Sequence, residues 1–448
     1  MKTRITPKTM KNSTVTGSAL AASLCLALTS SLAFAGSIER ISVDSGNLQF
    51  ISAPPGTLSD DGRYVVFNAG LVDDEPYSPI NTYLRDRATG TTELVSIAND
   101  GSPSGETTGT IDVSADGRYV VFLGQGLDSS IGYIDVYVRD RATGTTELIT
   151  INDDGSPGTV NKSARGASIS GDGRYVAFIS ESEDLVSDDN NGVPDVFVRD
   201  RINGTTQRIS VASDGTQANG STGTKYPGTD ISADGRYVVF NSSASNLVPN
   251  DSNGEPDLFV HDRINNTTTR VNLSNNSSQM SAGHNEMFDL SSNGRYVVFA
   301  SADSSLVAND SNGQVDIFVR DLVANTTERV SIADDGSQTN ASSGYPAISG
   351  NGRYVSFISA ASNLAAGGSS YGFSVFVHDR IAQTTEMVDT PHDGSVANSF
   401  SFLPSPVSGD GRYVLFHSVA SNLVAGDTDT NNYWDVFLHD RIGGQICQ

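Results

Sequence analysis

The most constraining feature of this chain is a repeat. Asp234-Gly235-Arg236-Tyr237-Val238-Val239-Phe240 has close copies throughout, with the Gly-Arg-Tyr core starting at Gly62, Gly117, Gly173, Gly235, Gly294, Gly352 and Gly411. The successive spacings are 55, 56, 62, 59, 58 and 59 residues. Self-similarity at such a period marks one supersecondary unit copied many times. It overrides the two or three domains that 448 residues would otherwise suggest.

Each unit carries four segments. The first is short and ends in serine, as in Asp230-Ile231-Ser232 or Ala347-Ile348-Ser349. An Asp-Gly or Asn-Gly pair follows, a hairpin signal because both residues tolerate positive φ. In the second segment Tyr237 and Val239 point to one face of a strand, Val238 and Phe240 to the other. Both faces are apolar, so this strand is expected between two neighbours. The third reads Asp195-Val196-Phe197-Val198-Arg199-Asp200-Arg201, with near copies starting at Asp135, Asp257, Asp316 and Asp435. The fourth reads Glu328-Arg329-Val330-Ser331-Ile332. Four β-rich segments per unit predict a four-stranded antiparallel sheet, and no segment shows a helical period of useful length.

Seven such sheets fit either a linear stack or a ring of radial blades, the β-propeller. The last unit stops at Gln448 without a convincing fourth strand, whereas Glu39-Arg40-Ile41-Ser42-Val43 reads as that strand. The prediction is an all-β, seven-bladed propeller spanning residues 36–448, its ring closed by the N-terminal strand completing the last blade.

Residues 1–35 read as a secretory signal peptide. Lys2, Arg4, Lys8 and Lys11 precede a mostly apolar run from Ala19 to Leu32, and Ala33-Phe34-Ala35 fits cleavage after Ala35. The run is too short for a membrane span. A periplasmic or secreted location is therefore expected. Loss of those four cations leaves 24 basic and 52 acidic residues, a net of −28. Such a surface repels nucleic acid and anionic lipid and favours cations and basic partners. Cys447 alone remains after cleavage, so no internal disulfide can form.

Ile231-Ser232-Ala233-Asp234-Gly235-Arg236-Tyr237-Val238-Val239-Phe240 and Asp257-Leu258-Phe259-Val260-His261-Asp262-Arg263 resemble the TolB-like, WD-related propeller repeat of bacterial exported proteins. The resemblance covers essentially residues 37–448. It implies the propeller fold, and a range of functions that includes periplasmic binding scaffolds, peptidase-associated propellers and oligogalacturonate lyases.

A residue type present in every unit is expected to serve the blade. That applies to the arginines at 63, 118, 174, 236, 295, 353 and 412, for which an ion pair or turn hydrogen bond between second and third strands is expected. Function is sought in the loops. Four loops between second and third strands share Asp-x-Asn-x-x-x-Asp: Asp189-Asn191-Asp195, Asp251-Asn253-Asp257, Asp310-Asn312-Asp316 and Asp429-Asn431-Asp435, the last with an additional Asp427. Alternating oxygen side chains before a glycine turn resemble the first part of a calcium loop, although the closing bidentate glutamate is missing. The competing reading is an Asx-turn bonding its own backbone. A second candidate cation or polar-ligand position is the axis, where Asp112, Asp230 and Asp289 occupy equivalent places and other units have Thr57, Ser168, Ala347 and Pro406. Solvated channel residues are the plainer account of those.

Catalytic signatures are thin. His261, His378 and His439 replace a repeat arginine, His284, His392 and His417 are scattered, and no metal-binding histidine spacing or nucleophile elbow occurs. The expectation is a non-catalytic binding scaffold, presenting an acidic loop face to a protein or glycan, with calcium as the one cofactor considered. Nucleic-acid binding and membrane insertion are not expected, and the chain is expected to be a monomer. The alternative is a polysaccharide lyase or hydrolase with its site at the axial channel mouth.

Overall fold

The computed structural model describes residues 36–448 apart from 71–78, 105–106, 126, 128–133, 158–162, 224–227, 281–286, 366–371, 403–405, 426–432 and 443–448. The proposed signal peptide, Asp427, Asp429, Asn431, His284 and Cys447 lie outside the described residues.

Seven separate sheets of four antiparallel strands are present. In chain order the blades are I (51–94), II (107–148), III (164–208), IV (229–270), V (288–329), VI (343–387) and VII (401–440 with 37–40). In six of them the strands run inner to outer in sequence order. Blade VII takes its outer strand from the N-terminus: Ser37 pairs with Asp440, Ile38 with His439, Glu39 with Leu438 and Arg40 with Phe437. The Ile41 N–H extends the pairing to the Val436 carbonyl at 2.7 Å. The ring is closed as the sequence predicts.

The apolar strand faces form seven buried clusters, each shared between two successive blades. Val238, Val239 and Phe240 are wholly buried, while Tyr237 at the strand's start is partly so. Within each blade the second-strand phenylalanine stacks on the third-strand aromatic opposite it, at centroid separations of 5.7 to 6.0 Å. Burial of each large side chain here stabilises by roughly 1.5–3 kcal/mol. The core is thus a set of seams rather than one central mass.

The Gly-Arg-Tyr motif turns out to lock blade to blade. Its arginine forms a two-point fork with the third-strand aspartate, as Arg63 Nε and Nη2 do to Asp86 at 2.9 and 2.7 Å. The fork recurs in all seven blades. The tyrosine beside it lies under that guanidinium and, at six seams, under a second one from the following blade: Tyr413 has Arg412 at 4.8 Å and Arg87 at 4.4 Å. The glycine is required twice over. Gly62 has φ +67°, and a Cβ there would lie 2.2 Å from the Tyr413 ring. Arg87 also donates to the Gly62 carbonyl at 2.6 Å and pairs with Glu39 of the closing strand. Glu39 therefore does in blade VII what Glu93, Glu147, Glu328 and Glu386 do elsewhere.

Candidate functional site: the axial cavity and the loop face

The inner strands of all seven blades converge on an axial cavity of about 230 Å³. Asp112, Asp230 and Asp289 stand on its wall, as their shared position in the repeat requires. Each carboxylate accepts the N–H of the next residue in its own strand and one from the following or next inner strand. Asp112 takes Val113 at 2.8 Å and Ile169 at 2.9 Å. Asp230 takes Ile231 at 2.7 Å and Leu290 at 3.0 Å. Asp289 takes Leu290 at 3.0 Å and Ile348 at 2.8 Å. The Ser168 hydroxyl lies 3.0 Å from Asp112 and 2.6 Å from Asp230, which links the two. Burial first, then nearby Asp230, pushes the Asp112 carboxyl up to about 7. The same two causes raise Asp289 well above the ordinary carboxyl range. The three carboxyls are thus interblade staples that also line a lumen.

One residue of this cavity escaped sequence reading. At the place before Asp-Gly or Asn-Gly six blades have Ala115, Gly171, Ala233, Ser292, Gly350 and Gly409, and blade I alone has an aspartate, Asp60. The small residues allow the turns to touch: Gly171 N–H bonds Ala233 O at 2.9 Å, and Gly409 N–H bonds Asp60 O at 2.9 Å. Asp60 reaches from blade I to blade V, accepting the Ser292 hydroxyl at 3.2 Å and narrowing the turn-side end. Burial raises its carboxyl against the lowering effect of Ser292. Its exceptional size among seven equivalents was the available signal.

The candidate calcium loops have an internal cation. In blade III the Arg208 guanidinium lies 3.3 Å from Asp189, and Asn191 donates to Asp195 at 2.7 Å. In blade IV Arg270 is 3.2 Å from Asp251 and 3.3 Å from Asp257. In blade V Arg329 is 3.0 Å from Asp310 and 3.6 Å from Asp316. In blade VII Arg40 of the closing strand is 3.4 Å from Asp435. In blades III, IV and V an arginine guanidinium thus pairs with carboxylates that the calcium reading names. Asn191, Asn253 and Asn312 each accept the N–H two residues on, at 3.1, 3.2 and 3.1 Å, which is Asx-turn geometry. Desolvation raises Asp195 to about 6. A sequence signal for this arrangement existed. The four blades with the loop have arginine at the outer-strand position (Arg40, Arg208, Arg270, Arg329), and the three without it have Leu94, Leu148 and Met387.

Among the described residues the histidines do not assemble. His261 and His378 hydrogen-bond Thr268 and Thr385 at 2.9 Å through Nδ1, and desolvation lowers both to about 4. They do the task that arginine does in other blades, where Arg199 meets Thr206 at 3.0 Å. His417 is wholly buried and lowered to about 4 by desolvation, while His392 is exposed on the connection between blades VI and VII. Among the described residues no group of three or more His, Cys, Asp or Glu is placed to hold a metal ion.

These features define a seven-bladed β-propeller with an acidic axial cavity. No family model matches the sequence, and no curated relative matches it either. Solved structures do. An oligogalacturonate lyase from Vibrio parahaemolyticus aligns with TM-score 0.53 at 9% identity, over 90% of this chain and 97% of that one. The β-propeller domain of the Trilobed protease from Pyrococcus furiosus aligns at TM-score 0.51 and 10% identity, over 88% and 96% of the two chains. TolB from Acinetobacter baumannii is also similar, at TM-score 0.39 and 14% identity over 79% of this chain, which spans 63% of that TolB. At such identities the likeness to the first two shows the fold alone. Among the described residues no helix is long and apolar enough to cross a membrane.

Proposed function

We propose that this protein is a non-catalytic exported binding scaffold, which presents its acidic loop face to a protein or to a ligand bridged by a cation. The observation that supports this most is a set of exposed carboxylates repeated around the ring. Asp100, Asp154, Asp214, Asp335 and Asp393 stand exposed on connections between blades, whereas the exposed Asp61, Asp116, Asp172, Asp234 and Asp410 of the opposite turns each lie two residues from a motif arginine. Side-chain and backbone hydrogen bonds within their own turns hold these carboxyls below the usual range, so they remain charged. A ring of repeated blades carrying a persistent negative field on its connections suits capture of a basic partner.

Pull-down from envelope and culture fractions, with and without chelator, tests the reading. A partner retained by the native chain and lost when Asp154, Asp214 and Asp335 are changed to asparagine is the expected result. Retention unaffected by those changes overturns it. If calcium takes part, it raises the melting temperature and a chelator reverses the rise, since a ligand specific to the native state stabilises by mass action. No shift at millimolar calcium removes the cation-bridged form.

The raised carboxyls of Asp112 and Asp289 favour a second reading, acid–base chemistry on a polysaccharide at the axial mouth. Incubation with neutral and uronate oligosaccharides, scored for new chain ends and lost in Asp112→Asn, would support it. An inert cavity against both classes dismisses it.

A further inference from the structure

The loop face is polar along most of its circumference, but the seam between blades VI and VII is aromatic. Phe400 (38% exposed) and Tyr433 (52% exposed) are the only exposed aromatic residues among those described. Phe400 meets Trp434 edge-on at 5.4 Å. Two residues further on, Phe402 meets Phe373 at 5.7 Å and Tyr345 at 5.2 Å. Tyr345 in turn lines the axial cavity. The aromatic wall thus consists of two sets of ring contacts two residues apart along the chain, Phe400 with Trp434 within blade VII and Phe402 with Phe373 and Tyr345 across the seam, and the second reaches the channel mouth.

Tyr345 is held there against its backbone preference. Its φ is +50°, at a place where blades III and IV have Gly166 at +52° and Gly228 at +88°. A tyrosine in a glycine's conformation persists only where surrounding contacts enforce it, and such outliers gather at ligand sites. Aromatic side chains with few rotatable bonds make strong anchors when exposed together. The surrounding field selects the ligand. Residues 36–448 carry a net charge of −28, and Asp393, on the connection leading to Phe400, is exposed. Anionic ligands are repelled, whereas an ammonium or guanidinium is drawn to the face of a tryptophan or tyrosine.

We propose that this wall docks a lysine- or arginine-bearing segment of a partner protein, with the cation over the Tyr433 and Trp434 rings and its aliphatic stem against Phe400. This rests on the scaffold reading and gives it a location and a chemistry. It places the specific contact to one side of the axis, at a single seam, rather than evenly around the ring.

Trp434 is the only tryptophan in the sequence, so its emission reports on the wall directly. The probe is a Lys-Gly-Lys-Gly-Lys amide, with the glutamate counterpart as control, followed by Trp434 fluorescence and by titration calorimetry. The lysine peptide should give a saturable change that weakens several-fold between about 20 and about 300 mM salt. Tyr433→Ser should weaken it about tenfold with an unchanged melting curve, because that side chain is half exposed. The glutamate peptide should give none. Equal affinity in Tyr433→Ser overturns the proposal, as does no response in either signal at about 1 mM peptide. Heat without a Trp434 change also overturns it, but leaves the scaffold reading standing with its contact elsewhere. A Trp434 shift on neutral phosphatidylcholine vesicles that the peptide does not compete away overturns it in favour of lipid. The scaffold reading fails separately, through pull-down insensitive to the acidic connections.

Discussion

The seam between blades VII and I and the seam between blades IV and V come from the same repeat but are held at opposite radii. At the first, Tyr413 lies between Arg412 and Arg87, and Arg87 continues to Glu39 and the Gly62 carbonyl. Near the axis that seam has Pro406 and Thr57 where a stapling carboxylate would stand. At the second, Tyr237 keeps Arg236 at 4.7 Å, but Leu322 occupies the repeat position of the second arginine and packs on the same cluster, and Thr269 replaces the glutamate. That seam is stapled inside instead, by Asp230 accepting the Leu290 N–H at 3.0 Å. Rim lock and axial staple are separate clamps on one interface: these two seams carry one each, whereas the seams between blades II and III and between V and VI carry both. At the seam between blades VII and I the rim lock has a second task, since through Glu39 it also ties down the terminal strand.

The largest expected effect comes from removing the closing strand. Deleting Gly36 to Val43 uncovers the blade VII edge and loses Ile38, Ile41 and Val43, each buried at about 1.5–3 kcal/mol. Melting should fall by on the order of 10 °C, or the protein should aggregate through the open edge. An unchanged melting curve breaks the account of closure.

The axial staple and the fork within each blade that holds the motif arginine over its tyrosine should respond to opposite ends of the pH scale. Asp112 in the folded chain holds its proton up to about 7, whereas the unfolded chain releases it near the ordinary 3.8. Stability from that group is therefore full below pH 4 and is lost as pH rises toward 7. Asp86 at the rim is depressed to about 2, chiefly by its bond from Arg63, so its contribution is present above pH 4 and is lost as pH falls through 2. Denaturant titrations across pH should show Asp112→Asn flattening the upper limb and Asp86→Asn the acid limb. The same limb flattened by both would erase the distinction.

A smaller effect separates the tyrosines. Tyr413→Leu gives up two guanidinium contacts and should cost about 1–2 kcal/mol, and Tyr237→Leu, with one, about half that. Equal losses would mean the outer guanidinium adds nothing. Smallest of all, Leu322→Arg combined with Thr269→Glu should install the missing rim lock between blades IV and V. A gain of about 0.5–1 kcal/mol is expected, read as a rise in melting temperature of a degree or two. A loss instead would show that Leu322 packing already outweighs the lock.

Much of the fold was legible in the residues. The Gly-Arg-Tyr spacing shows the blades, and the likeness of Glu39–Val43 to Glu328–Ile332 shows where the N-terminus goes, because strand pairing and alternating burial are local demands. The candidate sites were legible only as composition. Asp189, Asn191 and Asp195 read alike whether they await calcium or surround Arg208, whose contribution comes from a different strand of the blade. Asp60 stood out by size, but its contact at Ser292 is 232 residues away.

By itself the sequence determined a seven-unit, closed, strongly acidic ring, because period, strand faces and net charge depend only on residue order. The tertiary structure alone decided which guanidinium covers which tyrosine, which carboxyls are raised by burial, and that Phe402 of blade VII meets Tyr345 and Phe373 of blade VI. Those outcomes depend on distance and desolvation between groups contributed by different blades, which residue order does not encode locally.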